Sequence, residues 1–224
     1  MDIITSGPIQ VNCNRCGECC RKGGPTLHIT DAKLLTEGHL SYADLYTIRN
    51  GEMVYNNIEN KLITIDFELI KVKELDGKRV CKFFLDTGNV CSIYDHRPMQ
   101  CEKFECWNSE KLMEAFVEEK LTRSHLLKGN ESIGTIVNNH EIKCSYETLK
   151  EIFEEIAQGN DVTEDVFEIL QYDIDIRPLL VENLSINADY LPLLLGRPIT
   201  STLHMFGYKV ELDIDGKNCL IKID

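Results

Sequence analysis

The chain contains no apolar run approaching the ~20 residues that a membrane-crossing helix requires, so no bilayer-spanning segment is expected. Met1 to Gln10 carries neither a positive segment nor an apolar one, so it is read as no secretory signal, and a cytoplasmic setting is expected. Positive charge is scarce: 24 Lys and Arg stand against 37 Asp and Glu, a net charge of -13. That balance excludes wrapping of DNA or RNA, whose phosphates would be repelled. There is no Gly-x-Gly-x-x-Gly and no phosphate-binding Gly-Lys-Ser/Thr, which sets the standard nucleotide folds aside. The Cys-x-x-x-Cys-x-x-Cys spacing of radical enzymes is missing too. Internal repeats and low-complexity tracts are absent, and apolar residues make up 43%, enough for a sizeable core.

What the chain does have is cysteine: ten in 224 residues. Four of them, Cys13, Cys16, Cys19 and Cys20, fall within eight positions, and Cys81, Cys91, Cys101 and Cys106 follow before residue 107. Cys144 and Cys219 lie outside the pattern and read as ordinary small buried residues. Charge divides differently. Residues 1–109 hold 13 basic and 15 acidic groups, whereas 110–224 hold 11 and 22. The expected organisation is therefore a cysteine-cluster module over 1–109 and an acidic, mainly helical segment over 110–224.

The expected class is α+β: an irregular cysteine-rich module with a small antiparallel sheet, then helices ending in a β-hairpin. Ser41 is placed to cap a helix carrying Tyr42, Leu45, Tyr46 and Ile48, ending near Asn50-Gly51. Alternation from Lys61 to Glu74 reads as a strand, with Asp76-Gly77 turning it into a partner over Arg79 to Leu85. Asp86 to Asn89 is a turn delivering Cys91, and Pro98 suits the first turn of a helix bearing Cys101. Helical spacing marks Glu110 to Lys128 and a cleaner amphipath from Ser145 to Ala157. Asp161 with Glu164 forms a capping-box pattern, and Tyr208 to Ile223 reads as a hairpin around Asp215-Gly216.

A Cys-x-x-Cys unit puts two sulfurs where a turn can aim both at one ion, which is why it recurs in zinc and iron–sulfur sites. Cys19 and Cys20 are adjacent, and neighbouring side chains diverge. The expectation is that they serve two centres, or different metal atoms of one cluster. A disulfide staple is the plain alternative, disfavoured because cytosolic thiols stay reduced. His96, between Cys91 and Cys101, is weighed as a further donor, and His28 similarly. His140-Glu141 is followed by Cys144 rather than His, so it fails the helical zinc-protease pattern.

The residues resemble the YkgJ-type CxxCxxCC family. The match runs Cys13-Asn-Arg-Cys16-Gly-Glu-Cys19-Cys20, then Cys81-Lys-Phe-Phe-Leu85, Cys91-Ser-Ile-Tyr94 and Arg97-Pro98, ending at Cys101, Phe104 and Cys106. The resemblance implies a metal site of those eight cysteines, chelating zinc or iron; an iron–sulfur cluster is slightly preferred over zinc because the Cys13-x-x-Cys16-x-x-Cys19 triplet is ferredoxin-like and the thiolates are many. It is also similar to the cysteine-rich part of flagellin lysine-N-methylases, which implies an alternative protein methyltransferase using S-adenosylmethionine. The leading expectation is a binding or accessory protein that meets a protein partner or substrate; an iron- or zinc-handling protein is the third. No catalytic residue is named, and whether the chain is an enzyme stays open.

Overall fold

The computed structural model describes residues 13–56, 61–75, 78–105, 117–212 and 217–223. The chain packs as two compact units, and neither is continuous in sequence. One comprises residues 1–41 with 71–121; the other comprises 42–70 with 122–224. Residues 42–70 are built into the unit that contains the long helices of 122–224, although in sequence they lie between the two segments of the first.

The architecture is α+β, as expected: helices accompany small two-stranded sheets. The strands are β1 (Leu45–Ile48), β2 (Met53–Asn56), β3 (Lys61–Thr64), β4 (Leu69–Val72), β5 (Phe84–Leu85), β6 (Val90–Cys91), β7 (Tyr208–Leu212) and β8 (Asn218–Lys222).

In the first unit, Leu27, Leu34, Leu40, Phe84 and Leu121 are buried. The segment after Pro25 is held from both sides. Val72 N–H donates to Pro25, while Leu121 N–H donates to Leu27 and Ile29 N–H to Glu119. The buried Asp31 carboxylate accepts from the backbone of His28 at 2.8 Å and from that of Met99 at 2.7 Å. Met99 opens the helix Met99–Lys103, so one side chain closes its own turn and anchors a second helix by its first N–H. Pro98 immediately precedes that helix, close to its expected place. The return strand over Arg79 to Leu85 is not formed as expected. Glu74 and Cys81 make an isolated bridge, and β5 pairs with β6 instead. The predicted turn at Asp76-Gly77 lies outside the described residues. The Asp86–Asn89 turn is present, closed by Asn89 N–H on the Asp86 carbonyl, with Gly88 at φ +83°.

In the second unit, the helix expected after Ser41 is replaced by a short 3₁₀ turn, Tyr42–Asp44, and then β1. Leu45, Thr47 and Ile48 are buried, and Thr47 and Ile48 are β-branched, which favours a pleated over a helical backbone. The amphipathic helix forms over Tyr146–Ala157, and its predicted cap is in place: Ser145 Oγ accepts from the N–H groups of Glu147 and Thr148. Tyr146, Leu149 and Phe153 pack with Val166, Leu170, Ile199 and Leu203. The capping box at Asp161 and Glu164 does not form; the 22-residue helix Thr163–Leu184 starts without a side-chain cap. The expected helix over Glu110–Lys128 is described only in part. Within that part, Lys120 belongs to the first unit, where it bridges His28, and a separate helix covers Arg123–Leu126 in the second. The C-terminal hairpin forms in register from Tyr208 opposite Lys222 to Leu212 opposite Asn218.

The second unit also buries a charged network. Arg49, fully buried, clamps Glu141 through Nε, and Arg123 joins Glu141 to Glu68. Glu52 accepts from Arg197. Each carboxylate is paired, which is the condition for burying such groups at all.

Candidate metal centre

The thiol loop is shaped by two left-handed residues. Arg15 takes φ +57° and Gly17 φ +79°. At Gly17 a β-carbon would overlap the Phe84 ring, so the close approach of loop and hairpin requires glycine as well as permitting it. The loop then enters a 3₁₀ turn, Cys20–Lys22, in which Arg21 N–H donates to Gly17 and Lys22 N–H to Cys19.

Arg21 fastens the loop to the β5–β6 hairpin. Its guanidinium donates to the Cys16 carbonyl at 3.2 Å, to Asp86 Oδ1 at 3.0 Å and to Asn89 Oδ1 at 2.9 Å, and lies 4.6 Å over the Phe84 ring. The downstream cysteines arrive on separate elements. Cys81 N–H donates to the Cys20 carbonyl at 2.8 Å, which ties the two segments by their backbones. Cys91 sits on β6 opposite Phe84, and Cys101 lies in the helix anchored by Asp31.

The sulfurs of Cys19 and Cys20 are 4.0 Å apart. Adjacency therefore does not by itself keep the two sulfurs apart, and the contact leaves them placed for one ion or for neighbouring metal atoms of one cluster. Cys19 has helical dihedrals and Cys20 begins a 3₁₀ turn, and staggered rotamers about each Cα–Cβ bond can swing the two sulfurs together although the Cβ atoms diverge. On a tetrahedral ion with metal–sulfur bonds of about 2.3 Å, two ligand sulfurs stand roughly 3.8 Å apart. The observed pair fits one edge of such an ion.

The thiols feel one another. The hydrogen bond with Cys20 pulls Cys19 down to about 6, and the same bond drives Cys20 well up. Burial pushes Cys81 up to about 11, with the charges of Cys91 and Cys19 adding to it. Burial also raises Cys101 and Cys91; Cys101 senses Cys81, Cys19 and Cys91, while Cys91 senses Cys19 and Cys13. Arg97 opposes both shifts. Charge coupling thus links Cys19 with Cys20, Cys81, Cys91 and Cys101, and Cys91 with Cys13. Cys16 is exposed on the same loop, and Cys106 lies outside the described residues. Among the described residues no three of these thiols stand within 4.8 Å of one another. The donor set is assembled in an open arrangement.

His96 stacks on His39, ring centres 3.4 Å apart and planes within 12°. Parallel stacked imidazoles cannot aim their in-plane lone pairs at one ion, so the two rings do not form a chelating pair.

One constellation escaped the sequence reading. His140, Cys144 and Asp173, all buried in the second unit, offer ligand atoms within 4.8 Å of one another. The four-residue step from His140 to Cys144 was its only sequence signal. Its carboxylate is already committed: Asp173 accepts from His140 Nε2 and Arg177, each at 2.7 Å, and from Ile199 N–H at 3.0 Å. Burial, together with the charges of Arg49 and Arg177, pushes the His140 imidazolium to lose its proton more readily, against the pull of Asp173. Those two guanidinium groups make the place hostile to a cation, and the cluster reads as a structural anchor.

Four thiols on one loop, met by further cysteines from a hairpin and a helix, mark a cysteine-rich domain with the donor chemistry of a thiolate metal site. Residues 12–122, about half of the chain, match the CxxCxxCC family model, described as a "putative zinc- or iron-chelating domain", and this segment belongs to that family. The match contains all eight cysteines singled out above and ends within a residue of the first unit's limit. No curated protein and no solved structure matches the chain.

Proposed function

We propose that this protein holds zinc or iron through the thiolates of Cys13, Cys16, Cys19, Cys20, Cys81, Cys91, Cys101 and Cys106, as a binding or accessory protein for a protein partner. The observation that carries the reading is the sulfur pair at 4.0 Å together with the electrostatic coupling of Cys20 to Cys81 and Cys101. Soft thiolates select zinc or iron over hard cations, and an iron–sulfur cluster is preferred for so many of them. Arg15, Arg21 and Arg97 around the cysteines offset the negative charge that bound thiolates carry.

The deciding experiment is anaerobic purification followed by metal and acid-labile sulfide analysis. Iron with sulfide is the expected result, and stoichiometric zinc without sulfide would keep the site but replace its metal. Absence of either metal at stoichiometric level would overturn the reading. A second reading, transfer of metal to a partner, is favoured by the solvent exposure of Cys13, Cys16 and Cys19. Fast exchange with a chelator would support transfer; metal retained for hours would support a structural role. The methyltransferase alternative predicts S-adenosylmethionine binding, which calorimetric titration of the metal-loaded protein would detect.

A further inference from the structure

We propose that Tyr94 is a positioning residue for the thiol loop: its ring is gripped by Arg15 and Arg97 and so docks Cys13 and Cys16 against the downstream cysteines. The inference rests on the metal-binding reading above. The guanidinium carbon of Arg15 lies 4.0 Å from the Tyr94 ring centre, and that of Arg97 lies 3.7 Å from it. One aromatic face seats one guanidinium group at such a distance, so both faces of the ring are occupied.

The three residues join the segments that carry the cysteines. Arg15 stands between Cys13 and Cys16, and its N–H donates to Cys13 Sγ at 3.4 Å. Its φ of +57° is a conformation that residues with a β-carbon adopt at a cost. Stacking on Tyr94 offsets that cost and directs the side chain toward the downstream segment. Tyr94 opens the 3₁₀ turn Tyr94–His96, three residues after Cys91. Arg97 follows that turn and precedes Pro98 and the helix bearing Cys101. A single ring thus connects the loop of Cys13 to the elements of Cys91 and Cys101. Arg21 holds the other end of the loop through the Cys16 carbonyl and the β5–β6 turn. Two tethers fix the two ends, and releasing the one at Tyr94 frees the more exposed thiols.

The test uses the full chain with Tyr94→Leu and Tyr94→Phe. In metal-free protein, iodoacetamide labelling of Cys13 and Cys16 is followed by mass spectrometry with Cys219 as internal reference. In metal-loaded protein, release to a chelator is timed. Tyr94→Leu is expected to speed both by about tenfold, the equivalent of about 1.4 kcal/mol, which is the scale of two exposed cation–π contacts. Tyr94→Phe keeps the ring and should stay within about twofold of the parent. Parental rates in Tyr94→Leu, or Phe behaving like Leu, would overturn the proposal. Should Tyr94→Leu fail to fold, the exposed Arg15→Gln removes one of the two contacts, and it should raise labelling of Cys13 about threefold. An unchanged rate there overturns the proposal equally. If the parent takes up no metal but the labelling difference appears, the metal reading falls and the positioning role stands.

Discussion

The thiols of Cys20 and Cys19 lie in hydrogen-bond contact, sulfur to sulfur 4.0 Å, and this contact bears on what each can do when a metal arrives. Cys19 is held as the readier thiolate and Cys20 as the donor. A metal bound by both must expel the Cys20 proton, so uptake releases acid and strengthens as pH rises.

Because the two sulfurs meet, Cys19→Ser and Cys20→Ser should give matching losses of metal. Elemental analysis of each purified variant, with Cys144→Ser as a control retaining its metal, checks this. Clearly different losses would restore an arrangement in which the two serve separate centres.

Metal-binding free energy is folding free energy for the unit that supplies the ligands. Chelation is expected to raise hydrogen exchange in residues 13–41, 71–75 and 78–105. Residues 42–56 and 61–70, although enclosed in sequence by those segments, should keep their protection with the helices. Loss of protection across 42–70 in step with the cysteine segments would contradict the division into units.

At Gly17, an alanine meets the Phe84 ring and carries left-handed strain as well, whereas at Gly38 (φ +78°) it meets open space. Gly17→Ala should displace the loop and lower metal content. Gly38→Ala should cost about 1–2 kcal/mol of strain and keep full metal. Equal metal content in both variants would show that the approach of loop to hairpin is dispensable.

Asp173 is held down to about 2 chiefly by hydrogen bonds from His140 and Arg177, which outweigh its burial. A carboxylate depressed in the folded state stabilises above its unfolded value, near 4, and loses that contribution as pH falls through about 2. The amount is about 2–3 kcal/mol. His140 is lowered by burial, so stability also declines as pH drops below the ordinary histidine value near 6.5. Asp173→Asn should therefore be destabilised at pH 7, with the gap to the parent closing towards pH 2. Denaturant titrations across that range measure it, and a gap independent of pH would refute the assignment. Metal content should be unchanged.

Local patterns were legible wherever the physics is local. Ser145 caps its helix because a hydroxyl two or three residues from free N–H groups needs no distant partner. The Tyr208–Leu212 and Asn218–Lys222 hairpin follows from alternation, and the Asp86–Asn89 turn follows from its residue types. The clustered cysteines pointed, by spacing and by family resemblance, to the chelating-domain family that the segment 12–122 matches. The Asp161–Glu164 capping pattern was equally local and failed, since Thr163 donates to Asp161 while the helix begins without a side-chain cap.

By itself, then, the sequence determined the donor chemistry, the α+β class and the elements whose stability is short-range. The tertiary structure decided the rest. Residues 45–48, with a helix signal ahead of them, became a strand because their side chains found a core in the second unit. Asp31 anchors the Cys101 helix across 68 positions of sequence, a pairing that no periodicity encodes. Cys19 and Cys20 converge through rotamers, and rotamers are selected by what surrounds a side chain rather than by its neighbours in the chain. Sequence spacing fixes where a group can be offered; the packing of distant segments fixes which way it points.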